Sequence, residues 1–165
     1  MRAEWPWRIL EIGQTSGCAT GLPQLCQWEG RLPLKVMSKD PLCSGCRVCE
    51  MACTLKHSGE LNPKKAAIRI SGEFPAPGTY HVNVCSQCGV CAEECPEGAI
   101  KEKEQGVYVI DPELCTLCGV CVDACPFGVM FTHPDAPTPI KCDLCGGDPR
   151  CVAICPRSVL YTEES

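Results

Sequence analysis

The sequence is short of the material from which an ordinary hydrophobic core is built. Leu, Ile, Val and Phe together make up about a fifth of its 165 residues, near the level below which chains tend not to fold unaided. Trp, Tyr and Phe occur only three times each. No apolar run approaches the roughly eighteen residues of a membrane span, so direct membrane insertion is not expected. Met1 to Leu10 carries Trp5, Pro6 and Trp7 but no stretch that reads as a secretory h-region, and no twin-arginine pair stands near the start. A basic excess is missing as well. The formal net charge of −5 gives no footprint for nucleic acid. There is also no GxGxxG, no P-loop, no nucleophile–base set and no pair of catalytic carboxylates, and the protein is not expected to be an enzyme by itself.

Cysteine is what the sequence has in plenty, with 18 residues, beside 15 Gly and 15 Pro that favour turns over long elements. Disulfides belong to oxidising compartments. Without a secretory signal the expectation is a reduced, cytoplasmic protein whose thiolates hold metal. Cys43, Cys46, Cys49 and Cys53 follow C-x2-C-x2-C-x3-C. Cys85, Cys88, Cys91 and Cys95 repeat it before Pro96, and Cys115, Cys118, Cys121 and Cys125 repeat it before Pro126. Cys142, Cys145, Cys151 and Cys155 form a variant with five residues in the second gap, ending at Pro156.

Three thiolates two residues apart can wrap one tight loop around a cubane and leave backbone N–H groups to donate to its sulfides. The fourth cysteine, about one helical turn further on, points away from that loop, and the proline behind it turns the chain sharply. Structural zinc would use two separated C-x2-C pairs per ion and no third, equally spaced cysteine. Four [4Fe–4S] clusters are therefore expected. An oxidised cluster with its four thiolates adds about −2, which would take the loaded protein to roughly −13.

At this point the sequence resembles bacterial ferredoxins, and specifically the four-cluster subunits of multi-subunit oxidoreductases. Residues 85–131 are similar to a complete two-cluster ferredoxin, CSQCGVCAEECPEGAI followed by CTLCGVCVDACPFGVMF, and CSGCRVCEMAC and CDLCGGDPRCVAICP are similar to the outer motifs. The resemblance spans about residues 40–162. It implies a nested exchange of ligands: Cys85, Cys88 and Cys91 with Cys125; Cys115, Cys118 and Cys121 with Cys95; Cys43, Cys46 and Cys49 with Cys155; Cys142, Cys145 and Cys151 with Cys53. Thr54, where the pattern has proline, leaves the turn after Cys53 open.

The expected fold is α+β and ferredoxin-like, with two nested two-cluster lobes. Ala99-Ile100 and Val107–Ile110 should pair across a turn near Gln105-Gly106. Ala67–Ile70 and Tyr80–Val84 alternate as strands do. Short helices should run between the third and fourth cysteine of each motif and slightly beyond. The inner lobe is expected at about 81–134, the outer lobe at 39–80 plus 135–165, and residues 1–38 as an N-terminal extension. MSKDPLCSGC reads as a natural start at Met37, with residues 1–36 either an over-long gene assignment or a partner-binding tail, and a shortened protein that starts there is expected to keep its fold and all four clusters.

Cys18 and Cys26 fall outside the quartets and read as free thiols. His57, His81 and His133 have surface or hydrogen-bonding roles, because every quartet is already complete. Lys56, Lys64, Lys65 and Arg69 read as a solvated face, with a docking or potential-tuning patch as the functional alternative.

The function expected is electron transfer, since a cubane with four cysteine ligands has no open iron. The opening CSGCRVCEMACTLKHSGE resembles small subunits of tungsten- or molybdenum-pterin oxidoreductases of the aldehyde oxidoreductase type. Similar subunits serve carbon monoxide dehydrogenases, hydrogenases, formate dehydrogenases and dimethyl sulfoxide reductases. The implied partners are a catalytic oxidoreductase subunit and a soluble ferredoxin or other carrier. A free soluble polyferredoxin is the competing reading, and a colourless zinc-stabilised interaction module is a third.

Overall fold

The structure, a computed structural model, describes residues 34–73, 75, 78–103 and 106–164. Cys18, Cys26 and the turn residue Gln105 lie outside them. Regular structure is scarce and arrives in pairs. Among the described residues, six strands, β1 (Leu34–Ser38), β2 (Arg69–Gly72), β3 (Tyr80–Asn83), β4 (Ile100–Lys103), β5 (Val107–Ile110) and β6 (Leu160–Glu164), form three antiparallel ribbons, β1 with β6, β2 with β3, and β4 with β5. Four helices, α1 (Val48–Ser58), α2 (Val90–Glu93), α3 (Val120–Asp123) and α4 (Arg150–Ile154), each begin just before the third cysteine of a motif. Helix α1 packs on α4, and α2 on α3. No described helix is long and apolar enough to cross a membrane.

The β4–β5 ribbon pairs Ile100 with Ile110 and Lys103 with Val107, and the Asp111 amide extends it by donating to the Ala99 carbonyl at 2.7 Å. Strand β2 sits two residues later than the alternation at Ala67–Ile70 suggests. Ala67 is drawn out of the ladder because its amide is committed to Cys53 Sγ, at 3.4 Å. Helices α2 and α3 stop before the fourth cysteine instead of passing it. Pro96 and Pro126 drive the preceding residue out of helical geometry. With Thr54 in place of proline, α1 continues beyond Cys53 to Ser58 and ends at Gly59 in the left-handed region, φ 69°.

Strand β1 lies ahead of the boundary expected after residue 38. Leu34 through Ser38 pair in register with Glu164 through Leu160, and Val36, 1% exposed, packs in one core with Cys53, Ile68, Leu144 and Leu160. Alternation in a five-residue strand is too short a signal to separate this segment from the extension before it. A second, smaller core joins Cys91, Ile100, Cys121 and Met130. Cysteine side chains are thus core residues in both clusters, and the thin apolar complement closes around sulfur.

Candidate functional site

Each ligand loop is shaped by residues in the left-handed region. Gly45, Gln87, Leu117 and Leu144, each two residues after the first cysteine of its motif, have φ between 54° and 69°, and Arg47, Gly89, Gly119 and Gly146 follow the second cysteine with φ between 59° and 84°. Alternation of this kind makes successive amides converge on one side of the loop, a concavity suited to anions. The ring of Tyr80 lies against Gly45, and Tyr108 Oη would come within 2.8 Å of a Cβ at Gly89, so neither position has room for a side chain.

Thiols from distant motifs face common cavities. Cys43, Cys46, Cys49 and Cys155 line one; Cys85, Cys88, Cys91 and Cys125 line a second; Cys115, Cys118, Cys121 and Cys95 line a third. The remaining four, Cys53, Cys142, Cys145 and Cys151, are electrostatic neighbours of one another around the α1–α4 contact. An apolar pair walls each set: Val159-Leu160, Val129-Met130, Ala99-Ile100 and, for the last, Ala67-Ile68, all buried. The four sets form a string. Cys151 neighbours Cys49, Cys142 neighbours Cys85, and Cys91 neighbours Cys121.

Amides reach the sulfurs at several points. Ala99 N–H donates to Cys95 Sγ at 3.3 Å, Val159 N–H to Cys155 Sγ at 3.3 Å and Gln87 N–H to Cys85 Sγ at 3.4 Å. Around Cys155, burial works to raise the thiol, but the amides of Leu160, Arg157, Val159 and Ser158 outweigh it and its pKa falls below the ordinary value. Burial pushes Cys49 and Cys151 up to about 12 and raises Cys142, Cys53, Cys91 and Cys121. Sulfurs held like this release their protons to a cation that takes their place.

Of the three histidines, His57 alone meets a site cysteine: its Nε2 lies 3.5 Å from Cys145 Sγ and 3.4 Å from Asp143 Oδ1. Its pKa is raised by the Cys145 contact, against burial and with help from Asp143. These three residues are close enough to share an ion, but Cys145 belongs equally to its thiol set. Spacing rules give no sign of His57, which sits 88 positions from Cys145 and is brought there by α1. His81 bridges Glu73 and Asp40, at 2.7 and 3.3 Å, and His133 Nδ1 accepts from the Asp135 amide. The basic stretch is broken up: Lys65 pairs with Glu60 at 2.7 Å and Asp135 at 3.5 Å, and Arg69 stacks 3.8 Å above the Phe131 ring.

Four soft sulfur donors per set, apolar walls and converging amides fit an iron–sulfur cluster and give a hard cation nothing to bind. Comparison with known proteins agrees. A 4Fe-4S dicluster domain family matches residues 42–99 and 84–129, and a second 4Fe-4S dicluster family matches 107–156. The protein belongs to the 4Fe-4S dicluster ferredoxin-type domains, with mixed helix and strand, and its paired diclusters imply four [4Fe–4S] clusters. It is similar to the aliphatic sulfonate oxidoreductase polyferredoxin-like subunit of Pyrococcus furiosus, 41% identical over 43% of this chain and 42% of that protein. A subunit of the anaerobic dimethyl sulfoxide reductase of Escherichia coli is 33% identical over 44% of this chain and 42% of its own length. The match thus spans about two fifths of these relatives' length. Among solved structures, a component of the active-site complex BamBC of benzoyl coenzyme A reductase with 1,5-dienoyl-CoA is 27% identical with a TM-score of 0.50, covering 82% of this chain and 78% of that one.

Proposed function

We propose that the protein is the electron-transfer subunit of an oxidoreductase complex, relaying electrons between a catalytic subunit and a second redox partner. The observation that carries this reading is the string of four thiol sets, three of which present an exposed cysteine: Cys46 and Cys118 in the two end sets and Cys88 in an inner one. Exposed apolar side chains flank the exposed cysteines of the end motifs in sequence, Leu42 and Val48 around Cys46, and Leu114, Leu117 and Val120 around Cys118. Exposed apolar groups around a redox centre are what a docking partner would cover, and two such ends suit a protein that receives at one and delivers at the other.

In this reading the ligand sets are the four thiol sets: Cys43, Cys46, Cys49 and Cys155; Cys142, Cys145, Cys151 and Cys53; Cys85, Cys88, Cys91 and Cys125; Cys115, Cys118, Cys121 and Cys95. The inner lobe is about residues 81–134, and the outer lobe comprises 39–80 and 135–165 together with β1. With four cysteines to each cluster every iron would be saturated, and substrate chemistry would belong to the partner. A tungsten- or molybdenum-pterin subunit is the partner favoured by the opening motif, and the likeness to subunits of sulfonate and dimethyl sulfoxide enzymes supports an oxidoreductase partner. The loaded protein's negative charge suits a partner interface rich in Lys and Arg.

The test is anaerobic co-purification of the untagged complex from native cells, with metal analysis of the large subunit and substrate-driven reduction followed optically. Reduction by substrate should require the large subunit. Substrate-driven reduction of the isolated protein would make it an enzyme and sink the proposal, and the lack of any stable partner would favour a diffusing polyferredoxin.

A further inference from the structure

Lys141 stands where the two halves of the string meet. Its Nζ donates to the Tyr108 carbonyl at 2.7 Å, to the Gln87 Oε1 at 2.7 Å and to the Cys142 carbonyl at 3.1 Å. All three acceptors are neutral, and no carboxylate lies within ion-pair distance of it among the described residues. Gln87 is 6% exposed and engaged at both ends of its amide: its Nε2 donates to the Cys142 carbonyl at 2.8 Å, and its Oε1 also accepts from the Tyr108 amide at 3.2 Å. The corresponding positions of the other loops are Gly45, Leu117 and Leu144, so this position carries a hydrogen-bonding side chain in this loop alone. Three contacts on a long, flexible ammonium cost side-chain entropy, and a surface lysine would have no reason to be held so.

The same side chain lines the cavity of Cys85, Cys88, Cys91 and Cys125, and its backbone adjoins Cys142 of the neighbouring set. A fixed positive charge that no carboxylate neutralises is screened less in a half-buried place than in open water. It lowers the Coulombic cost of adding an electron to an anionic thiolate set nearby.

We propose that Lys141, held by Gln87, is a potential-setting charge at the joint between the halves: it raises the reduction potential of the site of Cys85, Cys88, Cys91 and Cys125 and, less strongly, that of the site containing Cys142. An electron entering from either end is then drawn to the middle of the string. This rests on the ligand reading above, and Lys141 is a positioning residue for charge, touching no substrate.

The experiment is potentiometry followed by electron paramagnetic resonance on the full anaerobic protein, with iron and sulfide counted in each sample. In K141Q, which keeps a hydrogen-bonding side chain and loses the charge, the oxidised-to-reduced ratio of one site at fixed potential should rise about tenfold, a midpoint lower by about 59 mV. A second site should move less and two not at all, while K141R should restore the wild-type midpoint. Where K141Q assembles fewer clusters, Q87E, which sets a carboxylate on the intact ammonium, should lower the same midpoint. A fully loaded K141Q with unmoved midpoints, or with all four moved equally, overturns the proposal alone. A wild-type protein that binds no iron overturns the ligand reading and this proposal with it.

Discussion

The amide of Ala67 donates to Cys53 Sγ at 3.4 Å across fourteen residues of chain, the contact that Ala99 and Val159 make to Cys95 and Cys155 from only four residues away. Behind Cys95 and Cys155 a proline turn brings the amide back at once. Behind Cys53 the helix runs on to Ser58, and a short turn at Pro63–Lys65, capped by Asn62 Oδ1, returns the chain to the same place. Ala67 and Ile68 are buried as completely as Ala99 and Ile100.

Thr54→Pro, the substitution that would complete the C-P pattern, is therefore expected to harm the protein. A proline inside α1 removes a helical hydrogen bond and collides with the preceding turn, a cost of about 3 kcal/mol. Thermal unfolding of the loaded protein should show the loss, with iron released first from one site. An unchanged midpoint would mean that α1 does not need its second half.

Val36→Ala should destabilise the protein by about 2 kcal/mol, although it precedes Met37 and every cluster motif. A protein starting at Lys39 should lose the β1–β6 ribbon and unfold at lower temperature than one starting at Leu34. Equal melting of the two would show that β1 adds nothing.

Cys155→Ser is expected to disturb the site of Cys43, Cys46 and Cys49, more than a hundred positions away, and to spare the signal of Cys142, Cys145 and Cys151. Resonance spectra of single-site variants can tell the two apart. Damage confined to the Cys142 set would mean that ligands stay within their own motif.

Sequence alone made the four quartets, the β4–β5 ribbon and the turns after Pro96, Pro126 and Pro156 legible, because each follows from local chemistry. The return of Ala67 to Cys53 was not legible. It depends on a helix overrunning a missing proline, and the alternation at Ala67–Ile70 imitates a strand that begins only at Arg69. Val36 and the Lys141–Gln87 contacts were equally hidden, since their partners lie more than fifty residues away and no spacing rule links them.

His81 gives a pH signature. Its hydrogen bond to Glu73 first, and to Asp40 second, raise its pKa above the ordinary 6.5. The protonated ring therefore ties β2 and β3 to the Asp40–Leu42 turn, and that support is complete below the unfolded value and lost as pH climbs through the higher folded one. Amide exchange in Tyr80–Asn83, corrected for intrinsic rates, should speed up as pH rises from mildly acidic to alkaline, and the trend should vanish in His81→Asn. A wild-type profile as flat as the variant's would remove His81 from any such role.

The β1–β6 ribbon also sets a timetable for synthesis. The cavities lined by Cys115, Cys118, Cys121 and Cys95, and by Cys85, Cys88, Cys91 and Cys125, draw their thiols from one uninterrupted stretch, and this can leave the ribosome complete while translation is still under way. The cavity of Cys43, Cys46, Cys49 and Cys155 does not exist until Cys155 has emerged and β6 has found β1. Three early thiols thus wait through most of elongation without their fourth partner, which makes this end of the nascent protein the one most exposed to oxygen and to premature metal.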